Sequence, residues 1–244
     1  MDNLILFFAL GGVAIAVIVT AIIIIVSWFS NPFTYPVIKR TIDISGRKQP
    51  SYEDCIDQWI IDNKDYEPAR HCEHILNKWD NDCKLILEKT HFGKERKKQI
   101  YNDMKNIVFS SNYKIYKFIF FRNQTRYKQQ YYQKYSYTVK NTDFVYELTL
   151  KQLLEIYDEL EEIDFETTRQ KYFAKNQRKL MTKELRQSII KRDNYTCQKC
   201  GKYMPDEVGL HVDHIVAIKN GGKTVASNLQ VLCDKCNYRK GAKK

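Results

Sequence analysis

The sequence predicts an α+β chain in three parts: a single N-terminal transmembrane helix, a mainly α-helical middle region and a small C-terminal domain stapled by four cysteines. Three observations predict it. Residues 4–29 contain no ionisable side chain, apolar residues recur at three- and four-residue spacing in the middle, and two Cys-x-x-Cys pairs stand near the end. The boundaries are read as 1–30 for the anchor, 31–50 for a linker, 51–178 for a helical cytoplasmic region and 179–244 for the C-terminal domain. The chain has 244 residues with 40 Lys+Arg against 29 Asp+Glu, a formal net charge of +11. One apolar stretch in an otherwise polar, basic chain excludes a multi-pass transporter and a small disulfide scaffold, and argues against a purely soluble protein.

A helix from Leu4 to Phe29 would extend roughly 39 Å at about 1.5 Å per residue, more than a bilayer core of ~30 Å requires. It does not read as a secretory signal, because no positive residue precedes the apolar run and the run is too long. Trp28, Phe29 and Tyr35 suit a membrane interface, and Pro32 and Pro36 end the helix. Lys39, Arg40, Arg47 and Lys48 then place the C-terminal side in the cytoplasm, giving a single-pass protein of the inner or plasma membrane with its N-terminus out. A buried core helix is the alternative. Gly11-Gly12 with Ala9, Ala14 and Ala16 is either a helix-packing face, which would permit a homo-oligomer, or small-residue filler. In a reducing cytosol the seven cysteines divide into the two pairs, suited to metal, and the buried thiols Cys55, Cys72 and Cys83.

Pro32, Pro36, Ser45, Gly46 and Pro50 mark the linker. Ser51 with Asp54 signals a helix start, and Cys55, Ile56, Trp59 and Ile60 follow at helical spacing. His74, Ile75, Trp79, Cys83, Leu85 and Ile86 give a second helix, and a third covers about residues 99–107. No long alternating stretch argues for a sheet. His71, Cys72, His74 and Cys83 combine metal-ligand types, but their spacing fits no compact zinc template, and Cys72 and Cys83 occupy apolar helical positions.

Between Ser111 and Lys140 basic residues and tyrosines interleave without one acid. This predicts a helix that faces nucleic acid, is attracted to anionic headgroups, or is simply a solvated face whose tyrosines pack on neighbours. An acidic helix surface follows from Glu155 to Glu166, and a basic stretch from Arg169 to Arg192 leads into the first cysteine pair.

Cys197, Cys200, Cys233 and Cys236 supply the four sulfurs of a closed tetrahedral site, which predicts structural Zn²⁺ with no open position for a substrate. In a segment this poor in apolar residues the metal would contribute much of the folding free energy, roughly 10 to 16 kcal/mol in zinc-finger peptides. Residues 209–215 read as a strand, 229–233 as its partner and 234–241 as a short helix.

Between the pairs stand Leu210-His-Val-Asp-His-Ile-Val-Ala-Ile218, Gly221-Gly222 and Asn228-Leu-Gln-Val-Leu-Cys233, and Asn237-Tyr-Arg-Lys240 follows. With Arg186 and Arg192-Asp193, these residues closely resemble the HNH endonuclease family over about residues 180–244. The resemblance implies a ββα-metal finger that hydrolyses phosphodiesters. His214 suits the general base because an imidazole titrates near neutral pH. The family pattern implies that Asp213 and Asn237 hold a catalytic divalent cation, Mg²⁺ by the hardness of its oxygen donors, and that Asn228 pins the loop and orients the His214 ring. His211 shares the strand face of Asp213 and either helps with metal or substrate or is structural. Arg239 and Lys240 either steady the substrate phosphate or only attract DNA. Ala217 departs from the family, which often has Pro there, and this affects loop stiffness alone.

The expected function is a membrane-anchored, metal-dependent endonuclease acting on DNA at the cytoplasmic face, with entering phage DNA as the target that the anchor suggests. The alternatives are a non-catalytic, zinc-stabilised DNA-binding module tethered to the membrane, and a toxin or RNase on the same finger.

Overall fold

The computed structural model describes residues 17–48 and 50–241. The chain divides into two compact units, the first ending at Asp158 and the second beginning at Glu159.

The first unit is built on a three-stranded sheet in the order β1-β2-β3, with β1 (Ile38–Asp43), β2 (Tyr116–Gln130) and β3 (Gln133–Leu148). β1 and β2 run parallel and β2 and β3 antiparallel. Parallel neighbours need a long crossover, and three helices supply it: α2 (Tyr52–Asp62), α3 (Pro68–Glu88) and α4 (Lys94–Val108). Ser51 caps α2, its hydroxyl accepting from the Asp54 amide at 3.2 Å. The inward side of β2 is aromatic: Tyr116, Phe118 and Phe120 are fully buried, and Trp59 of α2 meets Phe118 edge-on at 5.4 Å. A second apolar cluster joins Phe33 to Trp79, Cys83, Tyr101, Met104 and Val108 of the α3–α4 pair. Within it Tyr101 donates to Asp80 at 2.5 Å, and Lys84 and Lys105 close on the same carboxylate at 2.6 and 2.8 Å.

The expected fold is corrected here. The chain is mixed α/β, and its middle is not helical throughout: residues 116–148 form a hairpin of two strands of 15 and 16 residues. Tyr116, Phe118 and Phe120 alternate with period two, and a stretch rich in aromatic and β-branched residues packs better on a pleated surface than around a helix.

The transmembrane expectation is also corrected. Among the described residues no helix is long and apolar enough to cross a membrane. The described helix α1 (17–29) has 13 residues, about 20 Å at ~1.5 Å per residue against a hydrocarbon core of ~30 Å. Residues 4–16 of the expected span, with the small-residue face at Ala9, Gly11, Gly12, Ala14 and Ala16, lie outside the described residues. At the other end of α1 the residues read as a membrane interface meet protein: the Arg96 guanidinium of α4 lies over the Phe29 ring at 4.7 Å, and Gly93 approaches the Trp28 backbone. Placement in an inner or plasma membrane with a cytoplasmic C-terminal domain rested on that span and is withdrawn with it.

α5 (Leu150–Glu161) runs across the boundary between the units. The second unit then contains α6 (Arg169–Lys179), α7 (Lys183–Arg192), β4 (Leu210–His214), β5 (Leu229–Cys233) and α8 (Asp234–Gly241). Thr168 and Thr182 cap α6 and α7 by accepting from the amides of Lys171 and Leu185. β4 and β5 pair antiparallel, with Asp213 opposite Gln230 and His214 opposite Leu229. Their buried faces close on α7 through Ile189, Ile190, Leu210, Leu229 and Val231.

Candidate metal centre and active site

The first cysteine pair sits in a knuckle. The Cys197 amide donates to the Lys202 carbonyl at 2.9 Å, the Gly201 amide donates to the Cys197 carbonyl at 2.8 Å, and Thr196 bridges to Tyr203. Gly201 has φ +72°, the left-handed conformation this turn needs. The second pair straddles the junction of β5 and α8, with Cys233 ending the strand and Cys236 in the first turn of the helix. The fold thus brings Cys197, Cys200, Cys233 and Cys236 together, with all four ligand atoms within 4.8 Å of one another.

The donor set fits zinc. Four thiolates about 2.3 Å from a tetrahedral ion lie roughly 3.8 Å apart, and the Cys200 and Cys233 sulfurs are separated by 3.7 Å. The charges point the same way. Burial opposes ionisation of Cys197, but backbone amides of Cys233, Lys199 and Cys200 aimed at its sulfur outweigh it and lower its pKa. Cys236 is driven the other way, by burial and by the three neighbouring sulfurs. Four thiolates cannot share this space without a cation, and Zn²⁺ bound here would be structural, all four positions being taken by protein.

Next to the cage, Arg186 and Arg192 of α7 and Asp193 just after it brace the β4–β5 pair. Arg192 donates to the Ala226 and Leu229 carbonyls at 2.6 and 2.7 Å and to Asp193 at 2.8 Å. Asp193 accepts from the Val231 amide at 2.9 Å. Arg186 reaches the Leu210 carbonyl at 3.4 Å.

His214 ends β4, followed by a tight loop. Asn228 holds that loop from both sides: its side-chain oxygen accepts from the Val216 amide at 2.9 Å, and its side-chain nitrogen donates to the Val216 and Lys223 carbonyls at 3.1 and 2.9 Å. Gly222 allows the crossing, because a Cβ there would stand 1.9 Å from the Val216 carbonyl oxygen. The ring of His214 is held by another residue, the buried Thr224, whose hydroxyl lies 2.8 Å from Nε2. Thr224 is in turn fixed by Gln177 of α6: its hydroxyl donates to the Gln177 carbonyl at 2.8 Å, and its amide donates to the Gln177 side chain at 2.6 Å. A hydroxyl has one proton, and this one is spent on Gln177, so Thr224 accepts from His214 and the proton sits on Nε2. Among the described residues nothing hydrogen-bonds Nδ1. Its lone pair is left for a proton. Burial lowers the His214 pKa, the Asp213 carboxylate works against it, and the Lys240 ammonium adds to it.

Asp213 and Asn237 line one open cleft of about 1110 Å³ together with Ile215, Lys219 and Lys240. Lys240 donates to Asp213 at 2.5 Å and also to the His214 carbonyl. A positive charge therefore already fits against the Asp213 carboxylate and a backbone oxygen, and with the Asn237 amide these are the hard oxygen donors a divalent cation takes. His211 is held elsewhere, its Nε2 2.5 Å from Asp234 in the first turn of α8. Arg239 lies in the last turn of α8, and no ion-pair or hydrogen-bond partner is found for it among the described residues.

The sequence reading missed Thr224 and Gln177. Thr224 is a buried polar residue directly after Gly221-Gly222-Lys223, a weak signal, and Gln177 carries none within a stretch read only as basic. No curated protein and no solved structure matches the chain. Residues 197–243, which include the thiol cage, His214 and the cleft residues, match the HNH endonuclease family, a fold of metal-dependent nucleases and nucleic-acid-binding modules.

Proposed function

We propose that the second unit is a metal-dependent DNA endonuclease in which His214 is the general base. One observation carries this reading: the proton of His214 is fixed on Nε2 by Thr224 while Nδ1 stays free, beside a cleft that gathers Asp213, Asn237 and Lys240. His214 Nδ1 takes a proton from the water that attacks phosphorus, and the lowered pKa keeps the ring neutral and able to accept it. Asp213 and Asn237 would hold Mg²⁺, which when bound stabilises charge on the phosphate and its leaving oxygen. With a cation held at Asp213, Lys240 would be released to bind a phosphate oxygen, with Arg239 beside it on the helix. Asn228 keeps the loop in the shape that presents His214 and Thr224 to each other. His211 supports the start of α8, and so the position of Asn237, through Asp234.

The test is nicking or linearisation of supercoiled plasmid by the zinc-loaded full chain with Mg²⁺, comparing wild type with His214→Ala. A general base contributes roughly 10² to 10⁴ in rate, so the variant should lose activity by that factor while retaining zinc. Equal activity would overturn the assignment.

One contact favours a second reading, a zinc-stabilised DNA-binding module without catalysis. The Lys240 ammonium neutralises Asp213 in place. That reading predicts DNA binding that survives His214→Ala and no cleavage with any divalent cation. The expectation of defence against entering phage DNA drew on membrane topology and loses its ground with the anchor.

A further inference from the structure

β2 pairs with β1 only as far as Phe121. From Arg122 to Asn141 the hairpin continues as a two-stranded ribbon, its β2 arm extending about 30 Å at ~3.3 Å per residue. A two-stranded ribbon in water is marginal by itself, yet this one is long, and its side chains are exposed from Asn123 to Thr138. Its charge is of one sign, since no acid occurs between Ser111 and Thr142.

The register sorts the residues. Arg126 stands opposite Tyr137 and Lys128 opposite Tyr135, so two cations and two tyrosines share one face. On the other face Lys134 lies over the Tyr127 ring at 4.3 Å. Arg126 and Lys128 have no ion-pair partner among the described residues, unlike Arg122 nearer the sheet, which pairs with Asp143. At the tip, Tyr131 and Tyr132 have φ of 49° and 65° and are 89% and 99% exposed. A two-residue turn of this shape normally takes Asn-Gly. Two bulky residues in the left-handed region raise the energy of the free protein, and such strain is kept where function needs it. Lysines on an open strand also discourage edge pairing, but that gives no reason for two solvated, strained tyrosines.

We infer that the distal half of this hairpin is a second nucleic-acid contact: a β-ribbon that enters the major groove of duplex DNA, with Arg126 and Lys128 on phosphates and the Tyr131–Tyr132 tip against bases. The major groove, about 12 Å wide, admits a two-stranded ribbon, whereas the deep, narrow major groove of A-form RNA does not. The inference rests on the proposed nucleic-acid substrate and gives the first unit a share in holding it.

The test uses the full chain carrying His214→Ala, so that bound DNA stays intact, and measures anisotropy of a labelled duplex across a salt series. Tyr131→Asn with Tyr132→Gly should weaken binding roughly tenfold, the scale of one lost base-edge contact in the major groove, while thermal unfolding stays unchanged or moves up because the new turn is unstrained. Arg126→Gln with Lys128→Gln should reduce the slope of log K against log salt by about 1.8, at ~0.9 per phosphate contact. Unchanged duplex affinity and slope in both variants would overturn the inference. So would a loss confined to phosphatidylserine vesicles or to duplex RNA. Plasmid cleavage by the same hairpin changes in the His214 background separates the two claims. Hairpin-dependent binding without any cleavage sinks the nuclease and leaves the ribbon, and cleavage with hairpin-independent binding does the reverse.

Discussion

The C-terminal finger and the β2–β3 hairpin are each built on a pair of antiparallel strands, yet they are specified in different ways. In the finger, four thiols converge within 4.8 Å and the apolar core is small. In the hairpin, no metal ligand or buried side chain occurs beyond the sheet, and backbone pairing over nine register positions, Arg122 with Asn141 to Gln130 with Gln133, holds the arm together. One element depends on a single cation and the other on many weak, repeated contacts. The first should fail all at once, and the second should fray.

Removing the metal therefore gives the largest effect. Cys233→Ser, or a strong chelator, should unfold the finger, a loss on the order of 10 kcal/mol by the behaviour of zinc-finger peptides. The chain has three tryptophans, Trp28, Trp59 and Trp79, all in the first unit. Their fluorescence should then report a urea midpoint unchanged by chelation, while the finger cysteines become reactive to a thiol reagent. A tryptophan midpoint that falls with the metal would break the comparison, because the two units would then be one cooperative body.

Within the finger, the glycines of one loop separate strain from collision. Gly221 has φ +80° with nothing near a new Cβ, so Gly221→Ala should cost about 1 kcal/mol. Gly222→Ala drives a methyl into the Val216 carbonyl and should cost on the order of 3 kcal/mol. Thermal unfolding of the zinc-loaded protein should rank them in that order.

The two regions also differ in how far they can be read from the chain. Cysteine pairs are local, and the order Asp213-His214, Asn228, Cys233, Cys236-Asn237 carries its chemistry in its spacing. A strand is recognised by what it pairs with, and the pairing of Tyr116 with Leu148 spans the whole hairpin. The turn lacks the Asn-Gly that would announce it, since Tyr131 and Tyr132 stand there instead. The apolar segment misled for a different reason: composition says what an apolar run could do, and Trp28 and Phe29 read equally well as interface anchors or as side chains packed beside Gly93 and Arg96. Thr224 and Gln177 touch across 47 residues, a distance over which no periodicity carries information.

That long-range contact gives the next prediction. Thr224→Val keeps the volume and removes the acceptor for His214 Nε2–H, so plasmid cleavage should fall by roughly 10- to 100-fold, as for partners that orient a working ligand. Thr224→Ser restores the hydroxyl and should recover most of the rate at equal zinc content. If valine and serine behave alike, Thr224 only packs, and His214 is oriented by the Asn228 loop alone.

The last effect returns to the first unit and sets its ionic cluster against the zinc. Burial works against the charge on Asp80, but hydrogen bonds from Lys105, Lys84 and Tyr101 outweigh it and hold the carboxyl well below its ordinary range. A carboxylate with a depressed pKa in the folded state adds stability that is full above the unfolded value of about 3.9 and is lost as pH falls through the folded one. Asp80→Asn should therefore lower the tryptophan-monitored stability by about 1.5 kcal/mol at neutral pH, and the gap between variant and wild type should close only below about pH 4. Protons compete for the finger's thiolates as well, so zinc release should come first on acidification, while the Asp80 cluster is still intact. A first unit that loses stability at the pH of zinc release, in the variant and the wild type alike, would mean that acid reaches both regions through one transition and that the metal holds more than the finger.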